Sequence, residues 1–380
     1  MKKLLFLIHD LGQGGAEKVL VNLVNNMDTE KFDITVMALF GGGVNEQFLK
    51  PHIRYQTVFP RPFPGNSHIM KLLSPRQLHK LFIKEKSDIE ISYLEGPSAR
   101  IISGCPYEDT KLVSWIHVEQ HTKERAARSF RSYKESENCY YKFDKTICVS
   151  ESVKNDFVQL YPLISNIDVL YNTNETDRIL QQKDEPVEDE FYQKDCIRLC
   201  GVGKIVSTKG FDKLVRIHKR LTDDGLNIHT YVLGIGPDRE KIENYLKENN
   251  IRDSFTFLGY QTNPYKYVSK CDLFVCSSVA EGFSTAATEA LIVGTPVVTT
   301  PVAGMAEMLG ANDEYGIITE MSEDSLYEGI KDLVQNPEKL QHNKKQAEIR
   351  GKFFSKENTV KAVEEMLSEL IDEKETVWNI

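Results

Sequence analysis

The chain has 380 residues, 41% of them hydrophobic and 27% charged, with a net charge of −9. Such a length exceeds one ordinary core and fits two domains of a soluble globular protein, while the acidic balance argues against general nucleic-acid binding. Seven scattered cysteines with no C-x-x-C pair fit reduced thiols in a cytoplasmic protein rather than disulfides or zinc; Cys148, Cys200 and Cys276 sit inside apolar runs.

The first element is the run from Leu4 to Ile8, preceded by two lysines and ended at once by His9 and Asp10. It is too short for a signal peptide and reads as a strand over 3–8. No later stretch approaches the ~18–20 apolar residues that a membrane span needs. An amphipathic helix follows, with Val19, Leu20, Leu23, Val24 and Met27 on one stripe. Further short apolar, β-branched runs predict strands over 33–39, 89–93, 112–117, 146–149 and 167–170. A second series falls over 197–202, 228–233, 255–258, 273–276, 296–299 and 316–319. Strands of this kind, separated by helical patterns, predict an α/β chain with two doubly wound, Rossmann-like parallel sheets.

Two stretches break the alternation. Between Arg61 and Lys86 six basic residues stand against one acid, mixed with Phe63, Ile69, Met70, Leu72, Leu73, Leu78, Leu81 and Phe82. A solvated helical face and a surface that touches anionic lipid both fit this composition. The charge is also divided: residues 1–175 hold 22 Lys+Arg and 21 Asp+Glu, a net of +1, against 25 and 35, a net of −10, in residues 176–380. From Asn172 to Asp195 no apolar period persists, and 184–190 reads DEPVEDE. The expected division is therefore a domain over 1–171, a linker over 172–196, a second domain over 197–355 and a terminal segment over 356–380. Its apolar helix is expected over 357–370, and Trp378 is either an exposed tail residue or an anchor.

The unusual residues fall after the strands. They include Gly12-Gln13-Gly14-Gly15-Ala16-Glu17, His117, Asn172, Lys204 and Lys209-Gly210, then Gly234-Ile235-Gly236-Pro237, Glu281-Gly282-Phe283-Ser284-Thr285 and Glu289. Open parallel sheets bind ligands at this edge, beside helix N-termini. The glycines at 12, 14 and 15 fail the G-x-G-x-x-G dinucleotide pattern because position 17 is Glu; a plain turn and a backbone approach to phosphate both remain open. Lys204 and Lys209 suit a diphosphate leaving group, and equally an ordinary surface. His117 ends an apolar strand, where buried histidines are common. The segment from Glu281 to Glu289 is more specific. Ser284 or Thr285 can cap the next helix, its free N–H groups can hold phosphate, and two carboxylates flank that position and can accept from vicinal hydroxyls.

These motifs together, with GGAE at 14–17, VGKIVSTKGFDKL at 202–214, LGIGP at 233–237, LGY at 258–260 and EGFSTAATEALIVGTPVVTTPVAG at 281–304, resemble the family-4 retaining glycosyltransferases of GT-B fold. The opening GGAEKVLVNLVN resembles bacterial members that build surface polysaccharides such as capsule. The resemblance implies two Rossmann-like domains facing across a cleft, the terminal helix packing on the first. It implies that Glu281 holds donor-sugar hydroxyls and Glu289 the ribose, with Lys204 and Lys209 neutralising the diphosphate. Backbone N–H groups near Phe283, Ser284 and Thr285 would bind the distal phosphate. His117 would sit near the reacting carbon, Gly14 and Gly15 would approach the diphosphate, and Gly236 and Asn172 would complete the donor-binding set. The family usually has Arg where this chain has Lys204, which keeps the charge but loses the bidentate fork. TNETD after Asn172 replaces the frequent NGVD.

The implied reaction is transfer of a hexosyl group from a nucleoside-diphosphate sugar, a UDP-sugar first, to a hydroxyl of a saccharide or lipid-linked saccharide, with configuration retained. No metal and no other cofactor is expected: no Asp-x-Asp lies at a strand end, and the lysines would supply the positive charge. The expected location is the cytoplasm, with peripheral contact to an anionic membrane as one reading of 61–86. A nucleotide-sugar epimerase or hydrolase on the same fold, and a non-catalytic binding subunit, stay open at this point.

Overall fold

A computed structural model of the chain describes residues 1–187 and 196–377. It forms two compact units, one of Met1–Asn174 with Lys356–Ile380 and the other of Glu175–Ser355. Residues 188–195 of the expected linker, and Trp378, lie outside the described residues.

The first unit is built on a seven-stranded parallel sheet. Its strands are β1 (Lys2–Ile8), β2 (Phe32–Phe40), β3 (Arg54–Phe59), β4 (Ile89–Ser92), β5 (Lys111–Ile116), β6 (Lys145–Cys148) and β7 (Ile167–Val169). The order is β3-β2-β1-β4-β5-β6-β7, with every paired strand parallel. The direction of winding reverses between β1 and β4, which opens a crevice beyond their carboxyl ends. The central strands are buried on both faces, as their largely apolar runs require. β3 was not among the expected strands. Its sequence, RYQTVF, is half exposed because it forms the sheet edge, so no buried run marks it.

Helix Gly15–Asn26 buries Val19, Leu20, Leu23 and Val24 as its stripe predicts. The terminal helix, Lys356–Val377, belongs to this unit and buries Val360, Val363, Leu367 and Leu370. The backbone N–H of Asp28 donates to Glu364 Oε1 at 2.6 Å, fixing the loop after the first helix to the last one.

The basic segment forms two short helices, Asn66–Leu72 and Pro75–Phe82, the second started by a Ser74–Gln77 capping box. Leu78 is buried, and Phe63, Met70, Leu73 and Phe82 pack on the core, whereas Ile69, Leu72 and Leu81 are exposed. Two arginines hold the end of the first helix. Arg100, fully buried and paired with Glu135 at 3.0 Å, donates to the carbonyls of Met70 and Leu73; Arg131 donates to those of Lys71 and Leu72. These bonds satisfy carbonyls that a helix end leaves open. His79 ties the second helix to β4 through Glu90, 2.7 Å away and also buried.

The second unit contains β8 (Ile197–Val202), β9 (Ile228–Leu233), β10 (Phe255–Gly259), β11 (Leu273–Cys276), β12 (Val297–Thr299) and β13 (Ile317–Ile318). They form a parallel sheet in the order β10-β9-β8-β11-β12-β13, with its reversal between β8 and β11. Leu199, Leu214, Ile217, Val232, Ile242 and Leu273 are among the residues of its core. A helix, Thr176–Gln182, falls where the sequence shows no apolar period. One fully buried residue, Ile179, docks it, and the Asn263 side chain donates to the Gln182 carbonyl at 2.9 Å. Asn172, Thr173 and Asn174, expected in the linker, are buried in the first unit, where Asn22 donates to the Thr173 carbonyl.

Candidate active site

In the second unit the loops after β8 and β11 meet at the reversal of strand order. Gly210 adopts φ 66°, and a Cβ there would overlap the Ser277 carbonyl, so glycine is required twice over. Ser277 Oγ donates to the Lys209 carbonyl at 2.9 Å, and Val279 N donates to the Thr208 carbonyl at 2.9 Å. Held this way, Lys209 Nζ reaches Glu281 Oε1 at 2.6 Å, and Ser278 Oγ donates to the same oxygen at 2.7 Å. The Lys209 and Glu281 side chains are 29% and 12% exposed. Glu281 Oε2 carries no hydrogen bond to the described residues. The pair therefore presents one committed and one open carboxylate oxygen beside an ammonium group.

The other expected residues of this unit differ in their surroundings. Lys204 is exposed, and its side chain makes no hydrogen bond or ion pair with the described residues. Gly236 lies against the same loop: a Cβ on it would overlap the Ile205 carbonyl, and Ile205 N donates to the Ile235 carbonyl at 2.9 Å. Ser284 caps helix Thr285–Ile292 by accepting from Ala287 N, so its hydroxyl is already engaged. Phe283 is buried against Phe354, with Thr285 half-buried at the helix start. Glu289 is buried rather than a solvated acid, and accepts from Tyr265 Oη at 3.2 Å.

In the first unit the expected residues follow the carboxyl ends of β1, β5 and β7. Gly14 is the N-cap of the first helix and offers no side chain to its free N–H groups; Gly15 begins that helix. Gly12 N donates to Asp10 Oδ1 at 2.7 Å, and Asn45 holds the Gly12 carbonyl. Asn172 is buried beyond β7. His117 follows β5 with 6% exposure, its ring 4.8 Å from that of Tyr93 and its backbone N–H donating to Glu95 Oε2 at 3.0 Å. Its Nε2 is buried with no partner among the described residues. Burial lowers its pKa to about 3, so the ring is neutral near pH 7.

Two family models match the chain: "Glycosyltransferase Family 4" over residues 13–178 and "Glycosyl transferases group 1" over residues 182–350. The chain is a family-4 glycosyltransferase of GT-B fold. It is 26% identical over 375 residues to the N-acetylgalactosamine-N,N'-diacetylbacillosaminyl-diphospho-undecaprenol 4-alpha-N-acetylgalactosaminyltransferase of Campylobacter jejuni, covering 94% of this chain and 96% of that one. It is 25% identical over 304 residues to the lipopolysaccharide core biosynthesis glycosyltransferase LpsD of Rhizobium meliloti, with 78% of each covered. The fold is shared with Anabaena Alr3699/HepE, solved in complex with UDP-glucose, at a TM-score of 0.75 and 17% identity, over 97% of this chain and 100% of that one.

Three residues of this glycosyltransferase escaped the sequence reading. Ser278 shares the Glu281 oxygen with Lys209, and a Ser-Ser pair directly after β11 was the available signal. Glu95, three residues past β4, holds the His117 N–H and accepts from Gln120 Nε2 at 3.4 Å; burial raises its pKa. Tyr265 was invisible as a partner of Glu289, being 24 residues away in an unrelated helix.

Proposed function

We propose that this glycosyltransferase moves a hexosyl group from a UDP-sugar to a hydroxyl of a saccharide or lipid-linked saccharide, with retention of configuration, in the synthesis of a bacterial surface polysaccharide. The observation that carries the reading is the Lys209–Glu281 pair at the strand-order reversal of the second unit. An ammonium there offsets diphosphate charge, and the open Glu281 Oε2 accepts from donor-sugar hydroxyls. Lys204 adds a second cation, Glu289 takes the ribose, and the N–H groups of Phe283, Ser284 and Thr285, with Gly236, cradle phosphate. The same reading gives His117, Gly14 and Gly15 of the first unit roles in substrate contact.

In this mechanism the acceptor hydroxyl attacks the face from which the diphosphate leaves, and a departing phosphate oxygen takes its proton. The protein orients both substrates and stabilises the charge that develops on the leaving group. The buried, unpartnered Nε2 of a neutral His117 fits a hydrogen bond to a substrate oxygen near the reacting carbon. The Campylobacter relative, named for a diphospho-undecaprenol saccharide, supports a lipid-linked acceptor. So do the exposed Ile69, Leu72 and Leu81 among Lys71, Arg76, Lys80 and Lys84, which fit peripheral contact with an anionic cytoplasmic leaflet.

The test is product analysis with UDP-hexoses and saccharide acceptors, with and without EDTA. A disaccharide whose anomeric configuration matches the donor, formed equally in EDTA, is expected. Free or epimerised sugar as the sole product would reject transfer, and a loss restored only by a divalent ion would reject the role given to the lysines.

A further inference from the structure

Where the basic segment meets the sheet of the first unit, three side chains bring nitrogen, oxygen and sulfur together. His79 comes from helix Pro75–Phe82, Glu90 from β4 and Cys105 from the turn after helix Pro97–Ile102. His79 Nε2 lies 2.7 Å from Glu90 Oε2, and Cys105 Sγ donates to Glu90 Oε1 at 3.7 Å. One ligating atom from each residue lies within 4.8 Å of those of the other two. His79 is 2% exposed and Glu90 0%, while Cys105 is half-buried. The three are 11 and 15 residues apart in the chain, so no short metal motif marks them in the sequence.

A buried carboxylate is costly unless its charge is met. Among the described residues Glu90 has no lysine or arginine partner; an imidazole and a thiol are what it touches. Imidazole, carboxylate and thiolate are the ligand types that Zn²⁺ takes, with bonds of about 2.0–2.3 Å that set tetrahedral ligand atoms roughly 3.3–3.8 Å apart. The observed separations reach that arrangement by shifts of about 1 Å. Charge points the same way: one divalent ion with Glu90, the Cys105 thiolate and a neutral His79 leaves no net charge in a buried place. Burial and the Glu90 carboxylate push the Cys105 thiol up to about 12, so without a cation it keeps its proton, although the Thr110 side chain favours the thiolate.

We infer that His79, Glu90 and Cys105 form a zinc-binding site, with water in the fourth position reached past the half-exposed Cys105. The ion takes the place of the hydrogen between His79 Nε2 and Glu90 Oε2 and of the thiol hydrogen of Cys105, which is released. Its consequence is mechanical: metal bonds join helix Pro75–Phe82, β4 and the turn at Cys105, and so stabilise the basic segment. None of the three residues is given a substrate role, and the His79–Glu90 hydrogen bond holds helix and strand together without the ion. Zinc removal therefore lowers stability without abolishing transfer. The rival explanation is a self-sufficient hydrogen-bonded cluster that takes no ion.

The experiment uses the full chain, reduced and stripped with a chelator, as wild type, Cys105→Ser, His79→Gln and Cys196→Ser, the last altering a half-buried thiol of the second unit. Co²⁺ is added as an absorbing stand-in and displaced by Zn²⁺, retained zinc is counted after gel filtration, and melting is recorded with and without zinc. The wild type is expected to retain one zinc per chain, to show a thiolate-to-cobalt charge-transfer band, and to melt higher with zinc. Cys105→Ser, a near-isosteric change at a half-exposed position, loses the band and binds zinc at least roughly tenfold more weakly. His79→Gln weakens zinc binding as well, even if it melts lower, and Cys196→Ser matches the wild type. No zinc retained by the wild type, or retention and band unchanged in Cys105→Ser, overturns the site and leaves a hydrogen-bonded pair beside a thiol.

Discussion

The 2.6 Å contact between Lys209 and Glu281 joins two loops 72 residues apart in the chain. A partly exposed ion pair of this kind contributes little to stability by itself. Its value lies in placement: Ser278 fixes the same carboxylate oxygen, and Gly210 lets the two loops approach. Glu281→Gln and Lys209→Ala are therefore expected to lower turnover by on the order of 10²-fold while the melting point changes little. Steady-state kinetics with the donor, alongside thermal melts, checks this, and near-wild-type turnover in either variant would remove both residues from the site. At this scale the sequence exposed the residue types but not their partners. Glu281 and Lys209 were legible from strand-end placement and resemblance. Glu95 and Tyr265 were not, because a hydrogen bond between elements 22 and 24 residues apart leaves no spacing to read; Ser278, three residues before Glu281, had only the Ser-Ser pair after β11 as its signal.

Among the elements, buried parallel strands were the most legible, since burial on both faces demands a short, largely apolar run. β3 hid because an edge strand needs no such run, and helix Thr176–Gln182 hid because it buries one apolar residue, Ile179. The basic segment shows the opposite effect. Its apolar residues read as one mixed surface, but the two helices sort them, with Leu78 inward and Ile69, Leu72 and Leu81 outward. The arginine bonds to four successive carbonyls hold that presentation in place. Reversing the charge at Lys71, Arg76, Lys80 and Lys84 is expected to abolish binding to anionic liposomes, and wild-type binding should weaken with salt. Sedimentation with anionic and neutral vesicles checks both; equal binding to neutral vesicles would leave this segment a solvated face.

For the whole molecule, three buried histidines set an acid limit. Burial lowers His117 and His218 to about 3 and His229 to about 4. Their unfolded pKa is about 6.5, so between these values the unfolded chain binds more protons than the folded one. Stability is then fully present above about pH 6.5 and declines as the pH falls toward 3–4, by up to about 1.4 kcal/mol per pH unit for each histidine. Glu17 and Glu95, raised by burial, act in the opposite sense. Urea midpoints at pH 7.5 and 5.5 should therefore fall with acid in the wild type and fall less in His218→Gln. A flat profile, or a steeper one in the variant, would contradict this.

The two-unit division was visible as two series of strands separated by an acidic break, but the terminal helix's membership of the first unit came only from the resemblance. The central claim is that the β8–β11 edge of the second unit is where the nucleotide sugar binds. Isothermal titration of UDP-hexoses into the full chain and its Lys209→Ala variant tests it most directly. The account predicts saturable binding by the wild type of at least one UDP-hexose, weakened at least tenfold by the substitution, a difference of about 1.4 kcal/mol. Equal affinity in both proteins, or binding of none of the UDP-sugars, would contradict it.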